Sequence, residues 1–339
     1  MVSSGALEQF YALFEAWGIP WIVPRLVVML VVVSIVILFI SVSAMFLIWW
    51  ERKISAHIQA RFGPMRVGGW HGWAQSIADG IKLLLKEDII PKNADRPVFI
   101  LAPMVVFASA LAAYVVIPFG PGLIVQDLNI GILYIIAISS LAVVGIIMAG
   151  WSSNNKYAAL GALRSAAQAV SYEVPLVISL LGPVLLVGSL SMTKIVEAQQ
   201  YLWFIVAQPL AFLTYFTCAV AETNRLPFDI PEAESELVAG FHVEYSGMRF
   251  AIFFLAEYAN MFVVCAIATT VFLGGWRGPV LPPWGWFLIK TYFLLFVMMW
   301  LRWTLARVRV DQLMHVAWKV LLPLAFLNLG VTGLAALFL

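Results

Sequence analysis

The sequence predicts an all-α, polytopic transmembrane helical bundle of eight spans, with a further amphipathic helix lying at the membrane interface. Three observations predict it. The 339 residues are 63% hydrophobic and only 11% charged, against roughly 25% charged residues in soluble domains, so lipid must cover most of the surface. Eight apolar stretches reach the about 20 residues that a helix needs to cross the hydrocarbon core. The short alternating strands of a closed barrel are missing, which leaves helices as the spanning element. At this length a bilayer protein reads as a single membrane domain over 1–339. The formal net charge of +2 offers no grip on nucleic acid.

At the N-terminus, Leu7, Phe10, Tyr11, Phe14 and Trp17 share one helical face, which predicts a short helix within 1–25 lying on the outer membrane surface. No basic residue precedes Arg25 and no small-residue cleavage site follows an apolar core, so this is no cleaved signal. The spans are expected at 26–50, 98–118, 129–150, 167–188, 202–221, 249–273, 284–302 and 317–338. Loops 51–97, 151–166, 222–249 and 302–316 hold fifteen Lys and Arg, and the opposite set holds three. The basic set therefore faces the cytoplasm or matrix, with both termini outside.

Within the first inner loop, Trp70, Trp73, Ile77, Ile81 and Leu84 recur at steps of three and four, and Gln75, Asp79, Lys82 and Lys86 recur on another face. This predicts an amphipathic helix over 70–86, either a strut on the membrane or the floor under which a lipid-like ligand passes. No tandem or inverted repeat is present, which argues against a repeat-built transporter.

The third inner loop runs against the basic bias. From Glu222 to Glu244 it carries Glu222, Asp229, Glu232, Glu234, Glu236 and Glu244 against Arg225 alone. One or two acids after Pro231 would suit a helix start; six exceed that need. Closely spaced carboxylates at a low-dielectric boundary cannot all ionise, so some hold protons near neutral pH, as a proton relay requires. Glu257 is expected about 12 Å inside the sixth span, and Glu173 opens the fourth, where Pro175 removes a backbone donor and predicts a kink. Lys290 lies about 9 Å from the outer end of the seventh span, placed to snorkel or to pair with an acid. Glu51, Arg52 and Lys53, with Arg61, Arg164, Arg302, Arg307 and Arg309, read as topology determinants at inner helix ends. Cys218 and Cys265 sit in apolar runs, and His57, His71, His242 and His315 lack ligand spacing, so no metal site is expected.

Ordered strings then carry a resemblance. ERKISAHIQARFGP (51–64), AQSIADGIKLLLKED (74–88), GWSSNNKYAALGALRSAAQAVSYE (150–173), AETNRLPFDIPEAESELVAGFHVEYSGMRFAIFFLAEY (221–258) and DQLMHVAWKVLLP (311–323) resemble the NADH dehydrogenase subunit 1 family, the quinone-site membrane component of respiratory complex I. The likeness runs from about 26 to 338. One departure is RWTLARVRVDQ, where Trp303 and Ala306 stand in place of the small residue and the proline that the family carries.

The resemblance implies a subunit, not catalytic alone, of a proton-translocating NADH:quinone oxidoreductase. It would join the peripheral electron-transfer arm to the membrane arm and form the chamber for the substrate quinone, ubiquinone or menaquinone. Electrons would come from an iron–sulfur cluster in a neighbouring subunit, with no metal or flavin bound by this chain. Partners would be the iron–sulfur and quinone-site subunits of that arm, the small membrane subunits and the bilayer, in a bacterial inner membrane in preference to a mitochondrial one. By the same likeness Arg61, Asp79, Arg225 and Phe228 would line the quinone passage. Glu173, Glu222, Asp229, Glu232, Glu234, Glu236, Glu244 and Glu257 would carry protons. The alternatives are a homologous anchor of a membrane-bound hydrogenase or formate-oxidising complex and, more distantly, a secondary transporter using Glu257 and Lys290.

Overall fold

The computed structural model describes residues 22–231 and 234–338, with the side chains of Glu234 and Ser235 outside that description. The surface helix expected within 1–25 therefore lies outside the described residues. The elements in order are α1 (Ile22–Ile58), α2 (Gln75–Leu85), α3 (Arg96–Ala113), α4 (Gly131–Ser152), α5 (Lys156–Val187), α6 (Met192–Ala198), α7 (Phe204–Ala207), α8 (Pro209–Glu222), α9 (Glu234–Leu237), α10 (Gly247–Phe272), α11 (Pro283–Thr304) and α12 (Val310–Phe338). Among the described residues there is no strand, only one isolated bridge between Gly120 and Leu123.

Among the described residues, seven helices are long and apolar enough to cross a membrane: α1, α3, α4, α5, α10, α11 and α12. This is a multi-pass helical membrane protein. The remaining expected span, the fifth at 202–221, departs from a continuous helix. It breaks at Gln208, whose backbone leaves the helical region (φ −136°, ψ 62°), next to Pro209, which has no N–H to give. The result is the single turn α7 and the 14-residue α8, about 21 Å long at 1.5 Å per residue. Gln208 braces the break by donating to the Thr332 hydroxyl of α12 at 3.3 Å.

Helix α10 is the centre of the bundle. Its most apolar stretch is 61% buried, against 11% for α1, so α10 meets protein where α1 meets lipid. It packs on α3, α11, α1, α2 and α8, while α5 packs on α4, α8 and α12. Two helices run past their expected ends into the inner face. α1 continues through Glu51 to Ile58, and α5 begins at Lys156, so that most of the expected loop 151–166 is helical. Glu173 thus lies in the middle of α5, and the helix continues through both Pro175 and Pro183.

The interfacial helix is one turn shorter than expected. Residues 70–72 form a separate 3-10 turn, and α2 begins at Gln75. Gly72 permits the junction: its φ is +63°, and a Cβ there would meet the Pro64 carbonyl oxygen at 2.4 Å. Ser76 donates to the Met45 carbonyl of α1 at 2.8 Å, which pins the inner side of α2, while Trp70, Trp73, Ile77, Ile81 and Leu84 remain exposed along the other. An exposed apolar stripe beside a lipid-facing helix is what an interfacial helix requires.

Lys290 does not snorkel. It is buried in α11 and donates to the carbonyls of Leu273 (2.6 Å), Gly275 (3.1 Å) and Arg277 (2.8 Å). These are carbonyls at and beyond the C-terminus of α10, where a cation is favourably placed.

The loop charges predict that cysteines replacing Trp151 and Tyr201, 78% and 95% exposed, react with an impermeant thiol reagent from opposite faces of the membrane. The background replaces the buried Cys218 and Cys265. Labelling of both from one face would refute the orientation.

Candidate functional site: a buried ion-pair network beside a carboxylate cavity

The inner ends of α1, α8 and α11 and the middle of α10 converge on Glu51, which is 5% exposed. Its carboxylate accepts from Nη1 of Arg225 at 2.9 Å to each oxygen, from the Tyr258 hydroxyl at 2.7 Å and from Nη1 of Arg302. Arg225, 3% exposed, also pairs through Nε with Glu257 at 2.6 Å, and its guanidinium lies over the Tyr258 ring at 4.7 Å. Two guanidiniums thus balance two carboxylates. Burial alone would lower the Arg225 pKa, but the Glu257 and Glu51 carboxylates outweigh it and hold that pKa well above the ordinary arginine value.

The turn after α8 puts Arg225 in place. Thr223 bonds back to the Ala219 and Val220 carbonyls, and Asn224 takes a positive φ, which Asn tolerates better than most residues. Gln168 of α5 fastens the turn from outside, donating to the carbonyls of Ala221 and Phe228 at 2.7 Å each. Phe228 is buried with its ring 5.4 Å from that of Tyr172, and Arg307 reaches Asp229 at 3.1 Å.

Beside this network lies an internal cavity with about 90 Å³ open to the centres of water molecules. At a minimum of about 10–15 Å³ for each water, it has room for several. Glu173 from α5, Glu222 from α8 and Glu257 from α10 line it, together with His242, Asn224 and Asn260. Glu257 belongs both to the cavity wall and to the Arg225 pair, and so joins the two.

The residues singled out in the sequence are therefore divided. Glu173, Glu222 and Glu257 meet in the cavity, with Arg225 next to it. Asp79 lies elsewhere, on α2, where it pairs with Arg52 (2.5 Å) and Lys82 (3.4 Å). Partial burial would raise its pKa, but those two cations bring it below the ordinary aspartate value. Arg61 is exposed and donates to Gln59 at 2.6 Å. Glu236 pairs with Arg164, and Glu244 accepts from Asn155 at 2.6 Å, so neither lines the cavity. Glu232 and the side chain of Glu234 lie outside the described residues.

Glu51, Tyr258 and Arg302 of the network and His242, Asn224 and Asn260 of the cavity have no functional role in the sequence reading. Glu51 carries a usable signal. It is an acid in the run WWERK, whose helix extends for two further turns, so it faces a neighbour instead of capping an end.

Removing the shared cation should be costly. Arg225→Met leaves the buried Glu51 and the half-buried Glu257 without their shared cation, a loss of about 3–5 kcal/mol for such a broken pair. The expected outcome is a marked fall in thermal stability and in the amount of the protein retained in membranes, measured against wild type.

A family model described as NADH dehydrogenase matches residues 30–333. The H subunit of NADH-quinone oxidoreductase from Dehalococcoides mccartyi (strain CBDB1) is 55% identical over 295 residues, covering 87% of this chain and 83% of that one. Its counterpart from Geobacillus sp. (strain WCH70) is 54% identical over 289 residues, 84% and 86% of the two chains. The counterpart from Carboxydothermus hydrogenoformans is 48% identical over 301 residues, 88% and 86%. With identity at this level over most of its length, the chain belongs to the NADH dehydrogenase family, among the H subunits of NADH-quinone oxidoreductase.

Proposed function

We propose that this chain forms the quinone-binding chamber and the first part of the proton path of a proton-translocating NADH:quinone oxidoreductase in a bacterial inner membrane. The observation that carries the reading is the position of Glu257, which is shared between the buried Glu51–Arg225–Arg302 network and the carboxylate cavity. Reduction of a quinone to a quinol takes up two electrons and two protons. The electrons would arrive from an iron–sulfur cluster in a partner of the peripheral arm, and this chain would supply the proton-handling groups. A fixed pattern of charge near the head group adjusts without large reorganisation when the quinone changes charge. Carboxylates lining a hydrated cavity hand protons on. Asp229, on the same turn as Arg225, and the third-loop acids Glu232, Glu234, Glu236 and Glu244 would extend the path at the inner surface, toward the small membrane subunits. The substrate would be ubiquinone or menaquinone, and its isoprenoid tail requires an apolar passage.

The way in for that tail would lie beneath α2, with Arg61, Asp79, Arg225 and Phe228 along the passage. Support comes from the exposed apolar stripe of α2 and from the Arg52–Asp79 pair that holds it to α1. Asp79→Ala should lower NADH:quinone turnover several-fold while NADH oxidation by a hydrophilic artificial acceptor stays at wild type. Equal loss of both activities would instead indicate failed assembly.

The acids are tested by amide replacement, which keeps size and hydrogen-bonding capacity. Glu257→Gln and Glu234→Gln should reduce quinone turnover and proton uptake together, by at least about tenfold for Glu257 as a proton-transfer group, with the amount of assembled complex unchanged. Wild-type turnover and pumping in both variants would refute the proton path.

A further inference from the structure

His242 lines the carboxylate cavity, on the segment that leads from the inner face into α10. It sits on the single 3-10 turn Gly240–His242, which α5 and α4 hold from two sides. Gly161 of α5 makes this approach possible: a Cβ there would stand 2.8 Å from the Gly240 Cα. Downstream, Tyr245 stacks on Phe99 at 4.0 Å and donates to the Phe99 carbonyl at 3.2 Å, so the segment is fixed on both sides of the histidine. The imidazole is flanked by Phe250 at 5.5 Å and Phe254 at 6.2 Å, and it lines the same cavity as Glu173, Glu222 and Glu257.

We propose that His242 is a proton-relay residue, the imidazole through which protons from the inner aqueous side reach the carboxylates of the cavity. The inference rests on the proton-path reading given above and names the group at the mouth of that path. The titratable side chains of the wall are Glu173 from α5, Glu222 and Tyr215 from α8 and Glu257 from α10; α4 contributes Ser139 and no titratable group. Burial lowers the imidazole pKa to about 4, so the ring is neutral at physiological pH. A neutral imidazole has one ring N–H and one acceptor nitrogen. A proton from water on the inner side binds the acceptor nitrogen as the other N–H proton passes, directly or through one cavity water, to a carboxylate. The ring begins and ends neutral, and a flip about its Cβ–Cγ bond restores the starting tautomer. A side chain present only to fill this space among phenylalanines would need no exchangeable proton.

The test uses the intact complex in native membranes. His242→Asn keeps polarity and hydrogen bonding but cannot exchange one proton for another, and His242→Phe keeps the ring volume. Both should lower NADH:quinone turnover by at least about tenfold, short of the roughly hundredfold that a positioned proton-transfer group typically contributes, with artificial-acceptor activity unchanged. In His242→Asn the solvent deuterium isotope effect on turnover should rise, a change that lost side-chain contacts alone would not produce. Wild-type turnover and isotope effect in His242→Asn would overturn the relay, as would impairment confined to the Asn variant with His242→Phe at wild type. Loss of assembled complex in both variants would make His242 a folding residue and overturn it equally. Glu257→Gln, assayed beside them, separates the levels. If it is slow while His242→Asn is normal, only the relay fails; if it is normal, the reading of the cavity fails and the relay with it.

Discussion

Glu51 can stay buried, with Glu257 half-buried beside it, only because Arg225 lies between them, and the four helices that meet there are held by that requirement. A carboxylate removed from water without a partner costs far more than one side chain's contacts return. Glu51 comes from the end of α1, Arg225 from the turn after α8, Glu257 and Tyr258 from α10, and Arg302 from α11. These residues lie 174, 207 and 251 positions from Glu51 for Arg225, Tyr258 and Arg302. The network therefore ties together parts of the chain that no local signal relates. An apolar set of the same volume would hold the helices as well or better. Its retention as charge suits a site whose chemistry involves charge, which agrees with the proposed quinone chamber.

The same helix is held at its other end by a different device. Lys290 of α11 gathers the carbonyls at and beyond the C-terminus of α10, and Arg225 engages Glu257, about 15 Å along the helix from its N-terminus. Between them Thr269 and Thr270 bond back to their own helix, and Tyr114 of the 3-10 turn after α3 and Tyr215 of α8 donate to the carbonyls of Ala259 and Val264. Helix α10 is thus a fixed post, and Glu257 is a fixed point on it. Proton transfer between groups demands placement within a few tenths of an ångström of hydrogen-bond distance, so under the proposed function this rigidity would serve the carboxylate.

How much of this was legible depends on what each sequence signal measures. Hydropathy measures transfer into lipid, and it located the seven long helices because their middles are apolar all round. It placed their ends less well, since the residues 51–58 and 156–166 continue a helix beyond the membrane on ordinary helical propensity. It also joined 202–221 into one span, because the average over that window hides the break at Gln208–Pro209, where a single backbone conformation decides. Among the acids, Glu173, Glu222 and Glu257 stood out because each interrupts or borders an apolar run, and those three share the cavity. Glu236 and Glu244 stood out by local density alone, and each has a partner nearby on the inner face. Glu51 was hidden by Arg52 and Lys53: beside two cations an acid reads as part of a surface cluster, although its helix turns it inward. His242 was hidden for the opposite reason, as a lone histidine without ligand spacing, and only the fold brings it to the carboxylates.

The arrangement also indicates how charge movement in one half of the site is felt in the other. Glu257 neutralises part of Arg225 as long as it is ionised. When a proton from the cavity settles on Glu257, Arg225 retains a single anionic partner, and the positive charge left over is shared through Glu51 with Arg302 and Tyr258. In a low-dielectric region such a change is screened little over these distances. Under the proposed reading, a proton arriving on the cavity side makes the network more positive, which favours a reduced, anionic quinone. The quinone's later uptake of that charge as quinol reverses the bias. Electron transfer and proton transfer are then linked by one shared residue, with no large movement of the helices required, and the fixed geometry of α10 becomes part of the coupling.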